Sequence, residues 1–151
     1  MTWPPRWITH DVEDVSSHAK LAMEFIEAFG VITKDSVSGR AGTRLILRDW
    51  QKDIIRNLYA TDGDGNFLRK LGLIGVPRKN GKSALASHLA LFDTVFGLRG
   101  GETYSVAATR DQARIVFNEA KRIIEADEDL RKNAKLYRDA IEIPSKQSVY
   151  R

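Results

Sequence analysis

The chain contains no cysteine, which excludes a disulfide framework and any zinc or iron–sulfur site built on thiolates. Histidine is scarce: His10, His18 and His88 share no metal-ligand spacing. No apolar run approaches the roughly 18 residues that a membrane-spanning helix needs. The opening Met1-Thr2-Trp3-Pro4-Pro5-Arg6-Trp7 lacks an apolar core behind a basic start, so no secretion signal is expected. No Ser/His/Asp arrangement is identifiable. The turn Asp62-Gly63-Asp64-Gly65-Asn66 fails as a calcium loop, because the glycine and glutamate such a loop requires are replaced by Phe67 and Leu73. What remains is 151 residues, 42% hydrophobic and 29% charged, expected to form one soluble intracellular globular domain with a core of its own.

The net charge of +4 is unevenly spread. Residues 66–100 carry six basic side chains (Arg69, Lys70, Arg78, Lys79, Lys82, Arg99) against one acid, Asp93, so the rest of the chain sums to about neutral. A local cationic excess around Gly81-Lys82-Ser83 fits a phosphate or polyanion ligand, and it fits a solvated basic face equally well.

Apolar spacing predicts a helix from Ser17 to Phe29, through Ala22, Phe25, Ile26 and Phe29, with Gly30 as its stop. Residues 31–44 read as a loop. Leu45-Ile46-Leu47 is an extended lead into a helix over 49–60 striped by Trp50, Ile54 and Leu58. Residues 67–76 (Leu71, Leu73, Ile74, Val76) have the near-continuous apolar content of a strand covered on both faces. Pro77 and the Asn80-Gly81 turn end it, and a largely buried helix follows over Lys82–Phe96. A second strand is expected at 103–108. A helix begins after Thr109, which forms a capping box with Gln112 and presents Ala113, Val116, Phe117, Ala120, Ile123 and Ile124 on one face. Two short strands about Pro144 are expected at 140–143 and 148–150.

Strand, glycine turn, helix, strand, helix is the alternation of an α/β domain with a parallel sheet flanked by helices. The chain stops while a strand is starting, so the sheet is expected to be incomplete. The organisation expected is an N-terminal extension with one helix over residues 1–44, followed over 45–151 by the front part of a nucleotide-binding domain.

The chemistry concentrates in Val76-Pro77-Arg78-Lys79-Asn80-Gly81-Lys82-Ser83. A phosphate-binding loop needs inward-turned amides, a glycine for close approach, and a helix N-terminus behind. It also needs a lysine for the β- and γ-phosphates and a hydroxyl for Mg²⁺. Gly81, Lys82 and Ser83 supply the glycine, the lysine and the hydroxyl, although Val76 stands where the generic motif has its first glycine. A bare Gly-Lys-Ser/Thr occurs by composition in about one random chain of this length in ten; the expected strand before it and helix after it give it meaning. Arg78 is a candidate for neutralising charge on the transferred phosphoryl group, and Lys79 reads as solvated. Gln51 offers the donor and acceptor that match the N6 and N7 edge of adenine, or is an exposed helical glutamine. Trp50 reads as core.

These residues resemble the large terminase subunit, the ATP-driven DNA-packaging motor of tailed double-stranded DNA phages. Leu47-Arg48-Asp49-Trp50-Gln51 is similar to that family's adenine-binding segment. Pro77-Arg78-Lys79-Asn80-Gly81-Lys82-Ser83 resembles its variant Walker A loop, in which an arginine often precedes the glycine by three residues and the first glycine is commonly missing. The run from Ala107 to Phe117 resembles the strand-to-helix segment that follows.

The resemblance implies a P-loop NTPase fold of the RecA/ASCE type with ATP and Mg²⁺ as ligands. It implies that Lys82 holds the β/γ-phosphates, that Ser83 ligates Mg²⁺, that Arg78 senses the γ-phosphate and that Gln51 reads adenine, with Pro77, Lys79, Asn80 and Gly81 completing the loop. It further implies double-stranded DNA, a portal protein and a small terminase subunit as partners. The expected setting is a homo-oligomeric ring in the host cytoplasm, transiently on the procapsid portal and without membrane association. No Walker B strand ending in Asp-Glu is found; Leu89-Ala90-Leu91-Phe92-Asp93 lies within a helix and is rejected. The carboxylates of the family's nuclease domain have no counterpart either, so little ATP hydrolysis is expected of these residues alone. The rival readings are a helicase-type motor, a small-molecule kinase, and a non-catalytic module whose basic loop contacts backbone phosphate. Arg110 and Arg114 are solvated helix charges or contacts to DNA or a neighbouring subunit.

Overall fold

A computed structural model describes residues 11–33, 35 and 39–151. The irregular stretch with Trp3, Pro4, Pro5 and Trp7, the histidine His10, and Ser36 and Ser38 of the 31–44 loop lie outside the described residues. The elements in chain order are α1 (Ser17–Phe29), α2 (Asp49–Leu58), α3 (Lys82–Phe96), β1 (Glu102–Thr103), α4 (Arg110–Ala126), α5 (Glu128–Asn133), β2 (Lys135–Leu136), β3 (Ile141–Ile143) and β4 (Ser148–Tyr150). Among the described residues no helix is long and apolar enough to cross a membrane.

Local chemistry sets the helix ends. The Ser16 hydroxyl accepts from Ala19 N at 3.0 Å to start α1, a side-chain cap for an otherwise unpaired donor. Gly30 closes α1 in an extended rather than a left-handed conformation; a Cβ there would stand 2.2 Å from the Ile26 carbonyl oxygen and 3.0 Å from His88 Nε2. Thr109 Oγ1 accepts from Gln112 N to start α4, as its capping spacing predicts. The Asp127 carboxylate accepts from Asp129 N and Leu130 N, starting the short α5, an element that apolar periodicity does not reveal.

Helix α3 is the hub. Leu85, Leu89, Leu91 and Phe92 are buried along it and share one core with Phe25 and Ile26 of α1, Ile55 of α2, and Phe117, Ile123 and Ile124 of α4. Each such fully buried side chain contributes roughly 1.5–3 kcal/mol. Phe92 stacks on Phe96 and meets Phe25, Tyr59 and His18 edge-on or tilted. Two buried serines bond across the seams: Ser87 Oγ shares its proton between Ser83 O and Val116 O, and Ser148 Oγ donates to Thr94 O at 2.5 Å, tying α3 to the sheet.

The sheet differs from the all-parallel expectation. Its order is β1-β4-β3-β2; β1 and β4 are parallel, with Thr103 opposite Tyr150, whereas β3 pairs antiparallel with both β4 and β2. The two short strands about Pro144 form as expected. The strand expected at 67–76 does not: beyond the isolated Thr61–Phe67 bridge no ladder engages it. Leu71 and Leu73 stand 87% and 99% exposed. A strand covered on both faces sits inside a sheet with helices packed above and below it, and none of the described strands pairs with this segment. The strand expected at 103–108 shrinks for the same reason to Glu102–Thr103. Bonds from Arg151 N to Thr103 O and from Ser105 N to Arg151 O extend the pairing, and Val106 is left 90% exposed.

His88 is sealed inside α3, its Nδ1 2.6 Å from the Ala84 carbonyl oxygen and its Nε2 without a partner. Burial holds its pKa below the ordinary 6.5. The unfolded chain takes up this proton near pH 6.5 while the folded chain resists it. This part of the stability is therefore complete above that pH and is lost as pH falls through and below it, at up to about 1.4 kcal/mol per pH unit. Thermal unfolding of wild type and His88→Gln between pH 7.5 and 5 should show the wild type losing more stability on acidification; parallel profiles would show that His88 does not carry the dependence.

Candidate phosphate-binding loop and adjoining cavity

Between Val76 and α3 the backbone turns through two left-handed residues, Lys79 at φ 65° and Gly81 at φ 74°. Glycine adopts this conformation at no steric cost, whereas a side chain there costs roughly 1–2 kcal/mol. A Cβ added to Gly81 would meet nothing within 4 Å, so at that position φ, rather than crowding, is what favours glycine. Asn80 Nδ2 donates back to the Arg78 carbonyl at 3.2 Å, closing the turn on itself.

Gly81 is also the N-cap of α3. It supplies no side-chain acceptor, and the first turn contains no acid. The leading amides of a helix have no intrahelical partner and sit at the positive end of its dipole. The helix therefore begins as an uncapped, cationic end beside Arg78, Lys79 and Lys82, none of which is paired with an acid among the described residues. Lys82 Nζ instead donates to the Val76 carbonyl at 2.5 Å, so the ammonium closes the loop it follows. Pro77, Arg78, Lys79, Gly81, Lys82 and Ser83 are exposed and Asn80 is half-buried. These residues form one open, cationic turn.

Gln51 is not an exposed helical glutamine: it is 6% exposed. Its Oε1 accepts from Arg48 N at 2.9 Å, the glutamine half of a capping box at the start of α2. Its Nε2 has no protein acceptor among the described residues. A cavity of about 220 Å³ adjoins it, lined among others by Thr33, Arg48, Gln51, Gly81, Ala84 and Glu119. Gln51 and the glycine of the loop thus border the same space, although 30 residues separate them in sequence.

Residues outside the motifs complete this cavity. The 31–44 segment, read as loop, folds back through the Val31–Arg44 bridge, and the Thr33 hydroxyl donates to Glu119 Oε1 of α4. A signal for Glu119 existed: it lies three residues after Val116 and four before Ile123, on the edge of α4's apolar face. Other candidates fall elsewhere. Arg110 and Arg114 both bind Asp139, at 2.9 and 2.7 Å; these hydrogen bonds and cations hold the Asp139 carboxyl below the usual range. Asp93 lies on α3, accepts from Tyr59 OH at 2.7 Å and, being buried, titrates above the usual carboxylate range. Asp62 accepts from Asp64 N and Asn66 N in a closed turn. Among the described residues no group of three or more acidic or histidine side chains gathers into a metal site.

Residues 49–151 match the family described as "Terminase large subunit, ATPase domain". Among solved structures, the crystal structure of the HK97 bacteriophage large terminase is similar, with a TM-score of 0.73 and 22% sequence identity over 88% of this chain and 26% of that one. At that identity the likeness is one of fold, and the present chain spans about a quarter of the length of that protein. No curated protein matches the chain.

Because Gln51 caps α2, Gln51→Ala should lower stability by about 1 kcal/mol. Gln51→Glu keeps an acceptor for Arg48 N–H and should cost much less. Equal melting temperatures for wild type, Gln51→Ala and Gln51→Glu would contradict the capping role.

Proposed function

The chain belongs to the terminase large subunit ATPase-domain family, and from that membership we propose that the turn at 77–83 binds the triphosphate of ATP and that the energy released drives double-stranded DNA into a procapsid. The observation that carries this reading is the geometry at Gly81. A left-handed turn sets Gly81 both on the wall of the cavity that Gln51 borders and at the uncapped start of a helix, within a run that carries Arg78, Lys79 and Lys82.

In this reading the domain is a P-loop NTPase of the RecA/ASCE type, with residues 45–151 contributing its front part and residues 1–44 a helical extension. The amides of the first turn of α3 take the β-phosphate charge, helped by the helix dipole. Lys82 exchanges the Val76 carbonyl for the β/γ-phosphates, and Arg78 neutralises charge that develops on the γ-phosphoryl group. Phosphoryl transfer is catalysed mainly by such positioning and charge stabilisation. Gln51 Nε2 is free to donate to the base.

The residues present fit a nucleotide-borne Mg²⁺. Mg²⁺ usually keeps its waters and is held by phosphates plus one or two protein oxygens, and the exposed hydroxyl of Ser83 on the first turn of α3 is suited to be one of them. When bound, the ion neutralises charge between the β- and γ-phosphates. Double-stranded DNA, a portal protein, a small terminase subunit and a ring of identical subunits on the portal in the host cytoplasm are the partners and setting that go with this function.

ATP affinity measured on the 151-residue chain tests the reading. Lys82→Ala should weaken ATP binding at least about tenfold, the order of one charge-assisted contact. Gln51→Glu, with its helix cap retained, should also bind ATP more weakly. Phosphate release by this chain should stay at background, and in the full-length protein Lys82→Ala should abolish ATP turnover. Unchanged affinity in Lys82→Ala would remove the loop from the mechanism.

A further inference from the structure

The cavity beside Gln51 has a second polar wall whose chemistry suits one purine better than the other. Glu119 is the carboxylate that lines it. Its side chain is 14% exposed. Oε1 takes the Thr33 hydroxyl, and Oε2 meets Arg122 Nη1 at 3.5 Å, a stretched contact one turn along the helix. A carboxylate offers about four acceptor positions, so about half of the acceptor capacity of Glu119 is unused among the described residues. Burying such a group is costly unless partners arrive. Gln51 supplies the complement: its Oε1 is engaged with Arg48 N, while its Nε2 remains a donor without an acceptor.

Adenine carries, next to its N7 acceptor, an exocyclic 6-amino donor; guanine carries a carbonyl oxygen in that place. Resting on the reading of this cavity as the base pocket, we infer that Glu119 is a specificity-determining residue that accepts a hydrogen bond from the 6-amino group of adenine while Gln51 Nε2 donates to N7. A 6-oxo purine sets its carbonyl against the carboxylate and is rejected by repulsion as well as by the lost bond. Thr33 is a positioning residue, holding the carboxylate through the folded-back 31–44 segment. The base thus bridges α2 and α4, two elements that flank α3 and its phosphate-binding start.

The test removes the contact from each side in turn. Displacement of a fluorescent ATP analogue from the 151-residue chain is measured with ATP, with GTP, and with purine riboside triphosphate, which has hydrogen in place of the 6-amino group. Wild type should prefer ATP over purine riboside triphosphate by roughly tenfold, the order of one hydrogen bond to a charged group. Glu119→Ala should bind the two equally and should admit GTP more readily. Glu119→Gln keeps the shape with a neutral acceptor, and because charge-assisted bonds are roughly twice as strong as neutral ones its preference should fall to about threefold. This variant carries the test should Glu119→Ala fail to fold. Lys82→Ala separates the two levels of the argument. If it leaves ATP displacement unchanged, the nucleotide reading itself has failed. If it weakens ATP while both Glu119 variants keep the wild-type preference, the assignment of Glu119 alone is overturned.

Discussion

The site depends on a backbone constraint at the start of α3. Two left-handed residues, Lys79 and Gly81, turn the chain so sharply that the helix begins with a residue unable to cap it. Four amide donors of any helix start must find acceptors, and here neither a side-chain cap nor an acid in the first turn supplies one. The same helix is the hub of the core, packed against α1, α4 and the sheet. In the function proposed above, the packed helix behind and its uncapped start in front make the turn a receptor for an anion.

The cavity extends that logic sideways. Gln51 reaches it because it caps α2, so the residue that stabilises the helix start also fixes the direction of its own free amide. Glu119 reaches it because α4 packs on α3 with a carboxylate at the margin of its apolar face. The Thr33 hydroxyl then closes the third side. Gln51 and Glu119 are each held by a contact that folding would favour regardless of any ligand, which is the economical way to pre-organise a site.

Much of this was legible in the sequence. The helix periodicities of α1, α3 and α4, the Thr109 cap, the strand pair about Pro144 and the loop preceding Lys82 all follow from short-range rules. The strand at 67–76 was misread because apolar content registers what a segment would bury and not whether a neighbour is there to pair with; Leu73 and Val106 have strand character and no ladder. The antiparallel share of the sheet escaped for a related reason, since strand direction depends on connections that alternation alone does not encode. Gln51 reads from sequence as exposed or as base-reading, whereas its place three residues after Arg48 also suits the capping that the structure shows. Glu119 and Thr33 were missed because their partnership spans 86 residues.

The most direct measurement of the central claim is a ¹H–¹⁵N NMR titration of the chain with Mg·ATP. The account predicts that the largest shifts fall on the backbone amides of residues 79–84 and on the Gln51 side-chain amide, with smaller changes along α3. Shifts confined to the basic surface around Arg110 and Arg114, with the amides of Gly81, Lys82 and Ser83 unmoved, would contradict it.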